Sequence, residues 1–291
     1  MTRRTLLTAV AGVTAAARFT KAADSLPAVK PLTPPDKGAI PVAVAISEGA
    51  VMIDYAGPWE VFQDANRPSG GHAFNLYTVA ESTRPVTASG GLKLLPDFSF
   101  ADAPAPKIIV IPAQSGNQAM LEWIRKSAKT ADVVMSVCTG AFILAKTGLL
   151  DGKAATTHHA SYGGFAMKYR DVRLKRGFRF VESAPNLATA GGLTSGIDLA
   201  LHIVERYFGR ASAEGTAYFM EYQGEGWKDV TGGANQAYLK PVSTSGRLAC
   251  AVCGMALSAD APQRSTYKNV TYYFCSPGCQ GQFDASPADF V

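Results

Sequence analysis

The amino-acid sequence predicts an α/β domain with a mostly parallel sheet and a nucleophile elbow, followed by a small cysteine-rich module. The prediction depends on three features. Short apolar, β-branched runs alternate with helix-like segments from residue 40 to residue 224, a pattern typical of parallel strands joined by helices. One such run ends at Cys138 and a helix-like segment follows at once, which is the layout of a nucleophile elbow. Four of the five cysteines lie in residues 247–291.

The individual elements follow from these local patterns, because short apolar runs suit buried parallel strands. The predicted strands are Ile40–Ser47, Phe74–Ala80, Val86–Leu95 with a turn at Gly90 and Gly91, Lys107–Ala113 and the run that ends at Cys138. The predicted helices are Pro58–Ala65, Gln118–Ala131, Ala141–Leu150, Thr194–Phe208 and Ala211–Tyr222. Pro58 suits a first helical position, and Thr194 or Ser195 suits an N-cap. Residues 225–246 are rich in Gly, Ser and Asn and are predicted to form a linker.

Residues 1–23 are predicted to be a twin-arginine export signal. Arg3 and Arg4 precede a modestly apolar run, and small residues follow near a candidate cleavage point. The alternative is a frayed basic N-terminus. Residues 24–39 contain four prolines and are predicted to be an extended linker. The sequence therefore predicts a periplasmic or secreted protein.

The charge of the chain gives no indication of a nucleic-acid partner. The net charge is +5, but four of these positive charges lie in residues 1–23, which hold no acidic residue. The remaining chain is close to neutral and has no basic stripe with interleaved aromatic residues. After residue 23 no apolar run is long enough to span a bilayer. We therefore expect neither nucleic-acid binding nor stable membrane insertion.

Cys138 is the candidate nucleophile. Gly140 allows the backbone to bend sharply after the strand. A thiol at a helix N-terminus is exposed to backbone N–H groups and to the helix dipole, which predicts a pKa below that of a free cysteine. The alternative is a buried structural cysteine that closes a core strand.

Four segments carry a resemblance to a known family. They are Asp54-Tyr-Ala-Gly-Pro-Trp-Glu-Val-Phe62, Ser136-Val-Cys-Thr-Gly140, Lys153-Ala-Ala-Thr-Thr-His-His159 and Ala190-Gly-Gly-Leu-Thr-Ser-Gly-Ile-Asp-Leu-Ala-Leu201. Together they resemble the ThiJ/PfpI family of the class I glutamine-amidotransferase-like superfamily, over residues 41–222. The most similar subgroup contains isonitrile hydratases and the sensor-like domains of some AraC-type regulators.

The resemblance implies a flavodoxin-like fold, a homodimer and a small-molecule substrate, and it requires no cofactor for the α/β domain. It also implies that Cys138 is the nucleophile and that Asp54 lies beside the thiol and transfers protons. Replacing Asp54 by asparagine is then expected to raise the pKa of Cys138 or slow its chemistry; alternatively, Asp54 caps its helix. Thr139 is expected to donate its backbone N–H to an oxyanion. Asp198 is expected to hold its helix against the site.

The sequence also departs from the family pattern. Members commonly have Pro-Gly-Gly where this chain has Pro112-Ala-Gln-Ser-Gly116. That loop, with Gly116, is expected to supply the second oxyanion donor. Thr139 stands where the protease-like branch has histidine, and residues 187–192 contain no histidine for a glutaminase triad. Proteolysis and glutamine hydrolysis are therefore disfavoured.

The C-terminal cysteines form two close pairs, Cys250-x-x-Cys253 and Cys275-x-x-x-Cys279. Four thiolates at such spacing predict a tetrahedral site for Zn²⁺ or Cu(I). The surrounding residues resemble the YHS domain, which is associated with metal handling, so residues 247–291 are predicted to be a metal-binding YHS module. Met255 is either a further soft ligand for Cu(I) or, the favoured alternative, a methionine of the apolar core. Two disulfides are the alternative in an exported protein.

Two functions remain open from the sequence. The first is an exported cysteine-dependent enzyme resembling isonitrile hydratases, with a metal-binding tail. The second is a non-enzymatic periplasmic protein that binds or senses metals or redox state. The Asp54/Cys138 pair favours the first function, and the altered loop at residues 112–116 favours the second.

Overall fold

The computed structural model describes residues 29–229, 248–252, 256–258, 263–285 and 287–290. The predicted export signal at residues 1–23, residues 24–28 of the Pro-rich linker and residues 230–246 of the second linker lie outside these ranges. None of the helices in the described ranges is long and apolar enough to cross a membrane.

Thirteen strands and seven α-helices lie in the described ranges. The strands are β1 (Ile40–Ala45), β2 (Phe74–Ala80), β3 (Val86–Thr87), β4 (Lys93–Leu94), β5 (Phe98–Ser99), β6 (Ile108–Ile111), β7 (Val133–Ser136), β8 (Ala154–Ala155), β9 (Arg173–Leu174), β10 (Phe180–Ala184), β11 (Leu187–Ala190), β12 (Gln263–Tyr267) and β13 (Val270–Phe274). The helices are α1 (Met52–Asp64), α2 (Gln118–Ser127), α3 (Gly140–Lys146), α4 (Tyr162–Lys168), α5 (Ser195–Phe208), α6 (Arg210–Phe219) and α7 (Pro277–Ala285).

Seven strands form one central sheet in the order β10-β11-β7-β6-β1-β2-β5. All neighbouring pairs are parallel except β10 and β11, which form an antiparallel edge. Successive residues of a strand point to opposite faces, so Val42 and Val44 enter one apolar cluster while Ala43 and Ala45 enter another. Helices α1, α5 and α6 cover the first face, and α2, α3 and α4 cover the second. The predicted mostly parallel α/β sandwich is confirmed.

Helix α1 begins six residues before the predicted start. Pro58 lies inside the helix rather than at its first position, so the carbonyl of Asp54 lacks the N–H that would normally bond it. Helix α1 crosses α5 closely at this point. A Cβ atom on Gly57 would lie 2.8 Å from Cγ1 of Ile197, and one on Gly196 would lie 3.3 Å from Cγ of Pro58. The early start places Asp54 in the first helical turn.

Both predicted linkers contribute to the α/β domain where the structure describes them. In the first, the N–H of Leu32 donates to the carbonyl of Arg206 (2.7 Å), and Leu32 packs against the core. In the second, Gly226–Lys228 form a 3₁₀ turn in which Trp227 is fully buried in that core. The apolar core therefore extends past the predicted boundary at Gly224.

The C-terminal residues form a separate small unit. Strands β12 and β13 pair as an antiparallel hairpin, and α7 packs on them around Phe274 and Phe283. Arg176 contacts this unit, because its guanidinium donates to the carbonyl of Val252 and lies 4.7 Å from the ring centre of Phe290. A cysteine cluster lies in its core and is described below.

Candidate active site

Cys138 lies directly after β7 at the turn into α3. Its φ of 57° is in the left-handed region, which is uncommon for a residue with a side chain and often marks a functional site. Two hydrogen bonds hold this conformation: its N–H donates to the carbonyl of Gly191 (2.8 Å), and its carbonyl accepts from Oγ1 of Thr157 (2.8 Å). A Cβ atom on Gly140 would lie 2.1 Å from the carbonyl oxygen of Ile111, so this turn requires glycine. The local structure is a nucleophile elbow.

Asp54 approaches the thiol from α1. Its side chain is fully buried, and Oδ2 accepts a hydrogen bond from the N–H of Ala113 (3.0 Å). Oδ1 receives no hydrogen bond of standard geometry from the residues that the structure describes, but the Cys138 side chain lies within interaction range of the carboxyl group. The N-cap of α1 is Val51, without a side-chain cap. Asp54 therefore joins the helix to the loop after β6 and faces the thiol, instead of capping its own helix.

Burial raises the pKa of Asp54 to about 6, and the hydrogen bond from Ala113 and the interaction with Cys138 oppose this shift. Burial, the larger cause, and the negative charge of Asp54 together raise the pKa of the Cys138 thiol to about 11. The backbone N–H groups of Thr139 and Leu193 act in the opposite direction but are outweighed. The expected low thiol pKa is therefore wrong, because desolvation and a neighbouring carboxylate dominate over the helix N-terminus.

The two shifts describe one coupled pair. Between the lower pKa of about 6 and the upper pKa of about 11, Asp54 and Cys138 together hold one proton. That proton can reside on sulfur or pass to the carboxylate. An arrangement of this kind can deliver both a sulfur nucleophile and a proton to the same substrate atom.

Replacing Asp54 by asparagine is expected to lower the pKa of Cys138, the reverse of the expectation from sequence. The carboxylate raises the thiol pKa through its charge and its hydrogen bond, and the amide removes the charge while keeping an oxygen that can accept from Ala113. The rate of iodoacetamide labelling of Cys138 against pH, followed on its peptide by mass spectrometry, gives the pKa. Glu60→Gln is the matched control, because Glu60 is exposed on the same helix. An Asp54→Asn profile that coincides with the wild type contradicts the assigned contact.

The same substitution is expected to change stability with pH. The pKa of Asp54 is raised from 3.8 to about 6 in the folded protein, so ionising it costs up to about 3 kcal/mol of folding free energy. The free energy of unfolding of the wild type falls by this amount as the pH rises from about 4 through 6, because Asp54 ionises. Asp54→Asn has no carboxyl group at this position and does not lose it. We therefore expect the mutant to be the more stable protein at pH 8, with the difference nearly gone at pH 4, in urea unfolding. If the two proteins differ in stability by the same amount at pH 4 and at pH 8, the raised pKa of Asp54 is contradicted.

Gly116, in the loop after β6, has its backbone N–H engaged within the protein, so the predicted second oxyanion donor from this loop stays a prediction. Gly116 adopts a φ of 66°, but its N–H donates to Oγ of Ser47 (2.9 Å). Gln114 locks the loop, because its amide nitrogen donates to the carbonyl of Ala45 (2.7 Å) and its amide oxygen accepts from the N–H of Ser47 (2.5 Å). The glutamine that replaces a family glycine thus ties the loop to the end of β1. The substitution is visible in the sequence, but the bonds from Gln114 to Ala45 and Ser47 join residues that are far apart along the chain.

Asp198 is buried at the start of α5 and is held by two side chains. Oδ2 accepts from Nε of Arg179 (2.5 Å) and Oδ1 accepts from the hydroxyl of Tyr222 (3.0 Å). Burial raises its pKa, and Arg179 opposes the shift. These contacts tie α5 to the segment before β10 and to the segment after α6. The supporting role expected of Asp198 stays a prediction.

Two cavities flank the elbow without including Cys138 in their walls. The first, about 630 Å³, lies beside the loop after β6 and is lined by residues that include Glu48, Glu81 and Gly116. The second, about 140 Å³, lies beside the loop after β11 and is lined by residues that include His158 and Leu193. Cys138 itself is only 8% exposed. A substrate would therefore have to be small, or the loops would have to move.

Three of the predicted metal-ligating cysteines come together in the C-terminal unit. The sulfur atoms of Cys250, Cys275 and Cys279 all lie within 4.8 Å of one another, and those of Cys275 and Cys279 are 3.6 Å apart. A tetrahedral zinc site with bonds of about 2.3 Å places its sulfur ligands about 3.8 Å apart, so the cluster fits a soft metal ion. The described cysteines form no disulfide with one another. Cys253 and Met255 lie outside the described residues.

Burial raises the pKa of Cys279 to about 11, and the neighbouring Cys250 and Cys275 contribute to the shift. The thiol of Cys279 would therefore stay protonated at neutral pH without a cation. A bound metal ion reverses this balance, because thiolates are its ligands.

Comparisons with known proteins match the α/β domain that carries the elbow. A model of the "DJ-1/PfpI family" matches residues 41–206. Isonitrile hydratase of Pseudomonas putida is 34% identical over 183 residues, which are 59% of this chain and 73% of that protein. The HTH-type transcriptional regulator GbdR of Pseudomonas aeruginosa is 28% identical over 174 residues, 58% of this chain but 47% of the regulator.

Solved structures show the same fold. A ThiJ/PfpI family protein from Pseudomonas syringae superposes with a TM-score of 0.57 at 24% identity, covering 70% of this chain and 84% of that one. DJ-1beta of Drosophila melanogaster superposes with a TM-score of 0.54 at 19% identity, covering 63% of this chain and 98% of that one.

Proposed function

Because this chain belongs to the DJ-1/PfpI family, we propose that it is a cysteine-dependent hydratase of small isonitriles. The buried pair of Asp54 and Cys138 carries this proposal. The pair combines a sulfur nucleophile on an elbow with a carboxylate that can hold its proton. The 34% identity to an isonitrile hydratase over most of that protein's length supports the same chemistry.

In the first proposed step, the S–H group of Cys138 adds across the terminal isonitrile carbon. The S–H bond breaks, and S–C and C–H bonds form at the same carbon, with Asp54 carrying the proton. The product is a thioimidate, R–N=CH–S–Cys138. A thiol of raised pKa suits this step, because the reaction consumes the proton together with the sulfur.

In the second step, water adds to the thioimidate carbon and gives one proton to the nitrogen. The C–S bond then breaks, the remaining proton returns to Cys138 through Asp54, and an N-substituted formamide leaves. Overall, one isonitrile and one water give one formamide. No cofactor is needed in this sequence of steps.

The proposal is tested by incubating the purified full-length protein with cyclohexyl isonitrile in water enriched in ¹⁸O. We expect the formyl proton of N-cyclohexylformamide in the NMR spectrum and one ¹⁸O atom in its carbonyl group. The absence of formamide across a panel of alkyl and aryl isonitriles, with Cys138 reduced, overturns the proposal.

A sensing role is the second candidate, and two observations favour it. The N–H groups of Ala113 and Gly116 in the loop after β6 donate within the protein, and Cys138 is nearly buried. The similarity to the regulator GbdR covers the same part of the chain. A protein that binds an isonitrile or an electrophile at Cys138 without turnover would match this candidate.

We propose that the C-terminal unit is a metal-binding module of the YHS type, which the converging thiols of Cys250, Cys275 and Cys279 support.

Homodimerisation and twin-arginine export stay predictions. The export prediction requires both Arg3 and Arg4: a reporter fused after residue 39 should lose export when both become lysine, and unchanged export contradicts it.

A further inference from the structure

The smaller cavity, of about 140 Å³, adjoins the elbow through the loop after β11. Two of its lining residues bond the backbone of Cys138: the carbonyl of Gly191 accepts from its N–H, and Oγ1 of Thr157 donates to its carbonyl (2.8 Å each). Leu193 also lines the cavity, and its φ of 49° turns the chain from this loop towards α5. A group bound in this cavity would therefore lie beside the elbow.

Ser195 supplies a buried hydroxyl without a partner. It is the first residue of α5, is only 3% exposed and lines the cavity. Its Oγ forms no hydrogen bond with the residues that the structure describes. A Cβ atom on Gly191, which lines the same cavity, would lie 3.2 Å from this Oγ. Because buried polar groups normally have hydrogen-bond partners, this hydroxyl is available to a ligand in the cavity.

Two further side chains of the cavity wall present donors. The N–H of Ala160 donates to Nδ1 of His158 (3.2 Å), so on the neutral imidazole ring the hydrogen is carried by Nε2. The hydroxyl oxygen of Tyr162 accepts from the N–H of Gly177 (2.9 Å), which leaves its own hydrogen for a second bond. Among the described residues that line this cavity, none is aspartate or glutamate. The wall therefore suits a ligand that accepts hydrogen bonds.

The charge of the wall suits one negative charge rather than two. Arg179 lines the cavity, but its Nε donates to Oδ2 of the buried Asp198 (2.5 Å), which neutralises part of its charge. Burial and the neighbouring His159 lower the pKa of His158, so its ring is neutral at pH 8. The N-terminus of α5, a helix of 14 residues, adds a partial positive charge. A carboxylate, with one charge and two acceptor oxygens, matches this wall.

We propose that this cavity is a carboxylate site, in which the hydroxyl of Ser195 and Nε2–H of His158 hold the carboxylate at the start of α5. For the proposed hydratase, the substrate class becomes isonitriles that carry a carboxylate, with the isonitrile carbon at Cys138. That consequence rests on the proposed function, whereas binding of a carboxylate does not.

Carboxylate binding is tested without turnover, on the full-length protein with ¹⁵N in its four histidines. Sodium acetate is titrated at pH 8, with sodium chloride at equal ionic strength as the reference. We expect acetate to cause a saturable shift of the Nε2 signal of His158, while the signal of the exposed His72 does not move. Ser195→Ala should bind acetate about tenfold more weakly, because a hydrogen bond to a charged acceptor is lost.

Ser136→Ala is the matched control. Ser136 is likewise buried, with a hydroxyl that has no partner among the described residues, but it does not line the cavity. We expect this variant to bind acetate like the wild type. Inorganic phosphate, which is mainly a dianion at pH 8, should bind more weakly than acetate. Circular dichroism confirms folding of each variant.

The substrate class is tested with isocyanoacetate and its methyl ester, of which only the first carries a free carboxylate. We expect the wild type to hydrate isocyanoacetate with the higher kcat/KM. Ser195→Ala should reduce this preference by about tenfold, because the ester does not use the charge-assisted bond to the hydroxyl.

The carboxylate site is overturned if acetate moves the His158 signal no further than chloride does, if Ser195→Ala binds acetate as tightly as the wild type, or if phosphate binds more tightly than acetate. An active enzyme without a preference for isocyanoacetate overturns the assigned substrate class. Failure of the hydratase function has a different signature: no variant hydrates any isonitrile, while acetate still shifts the signal of His158.

Discussion

Replacing Cys138 by serine is expected to reduce isonitrile hydration by at least about 10³-fold, because the hydroxyl is a much weaker nucleophile than sulfur at the same position. Asp54 does not restore activity to the serine variant. A carboxylate of pKa about 6 is too weak a base to ionise an alcohol in the ground state. The measurement is the initial rate of formamide formation at saturating substrate.

Ser136→Ala is the matched control for this substitution. Ser136 lies two residues earlier at the end of β7, is fully buried, and its hydroxyl has no hydrogen-bond partner among the described residues. Loss of this hydroxyl group should leave the hydration rate within about twofold of the wild-type rate. The substitution breaks no hydrogen bond to a described residue. Cys138→Ser with near-normal turnover would exclude the thioimidate pathway. Full loss in both variants would instead indicate damage to the sheet around the end of β7.

Removing one cysteine of the C-terminal cluster is expected to abolish stoichiometric metal binding. Purified under reducing conditions, the full-length protein should contain one Zn²⁺ or Cu(I) per chain, and Cys279→Ser should contain none. Cys279 is buried in the centre of the unit with Phe274 and Phe283. Structural zinc sites supply about 10–16 kcal/mol of apparent binding free energy in small domains, so losing the metal should also unfold this unit.

Two measurements together decide this prediction. Elemental analysis gives the metal content, and hydrogen exchange of the peptides that cover β12, β13 and α7 reports whether the unit is folded. Cys138→Ser is the control, because it removes a cysteine from the other domain and should retain the metal. Two disulfides in a non-reducing peptide map, with no bound metal, would show that the cysteines serve as covalent cross-links.

The two functional centres differ in how far local patterns could predict them. The elbow was predictable because an apolar run, Cys138 and Gly140 are contiguous in the chain, and the sharp turn requires glycine at that position. The cysteine cluster was predictable from two close pairs. The link between Asp54 and Cys138, which are 84 positions apart in the sequence numbering, came from family resemblance instead, because no local pattern relates residues on different elements.

The details of the site depended on non-local contacts. Gln114 reaches back to Ala45 and Ser47, and nothing in the local sequence specifies that partner. Leucine is a poor predictor of a positive φ, so the backbone of Leu193 gave no signal. The start of α1 was misplaced because proline often begins a helix, whereas Pro58 lies inside α1, where the helix packs against α5.

The sequence by itself determined the α/β class, the elbow that presents Cys138 and the clustering of thiols near the C-terminus, because each depends on residues that are close along the chain. Tertiary structure alone decided whether the pKa of the Cys138 thiol is raised or lowered. The helix N-terminus near Cys138 is visible in the sequence and favours the thiolate, whereas burial and the charge of Asp54 arise only when α1, β7 and the loops around them pack together. Desolvation is a property of the folded interior, and it reverses here what the local pattern predicts.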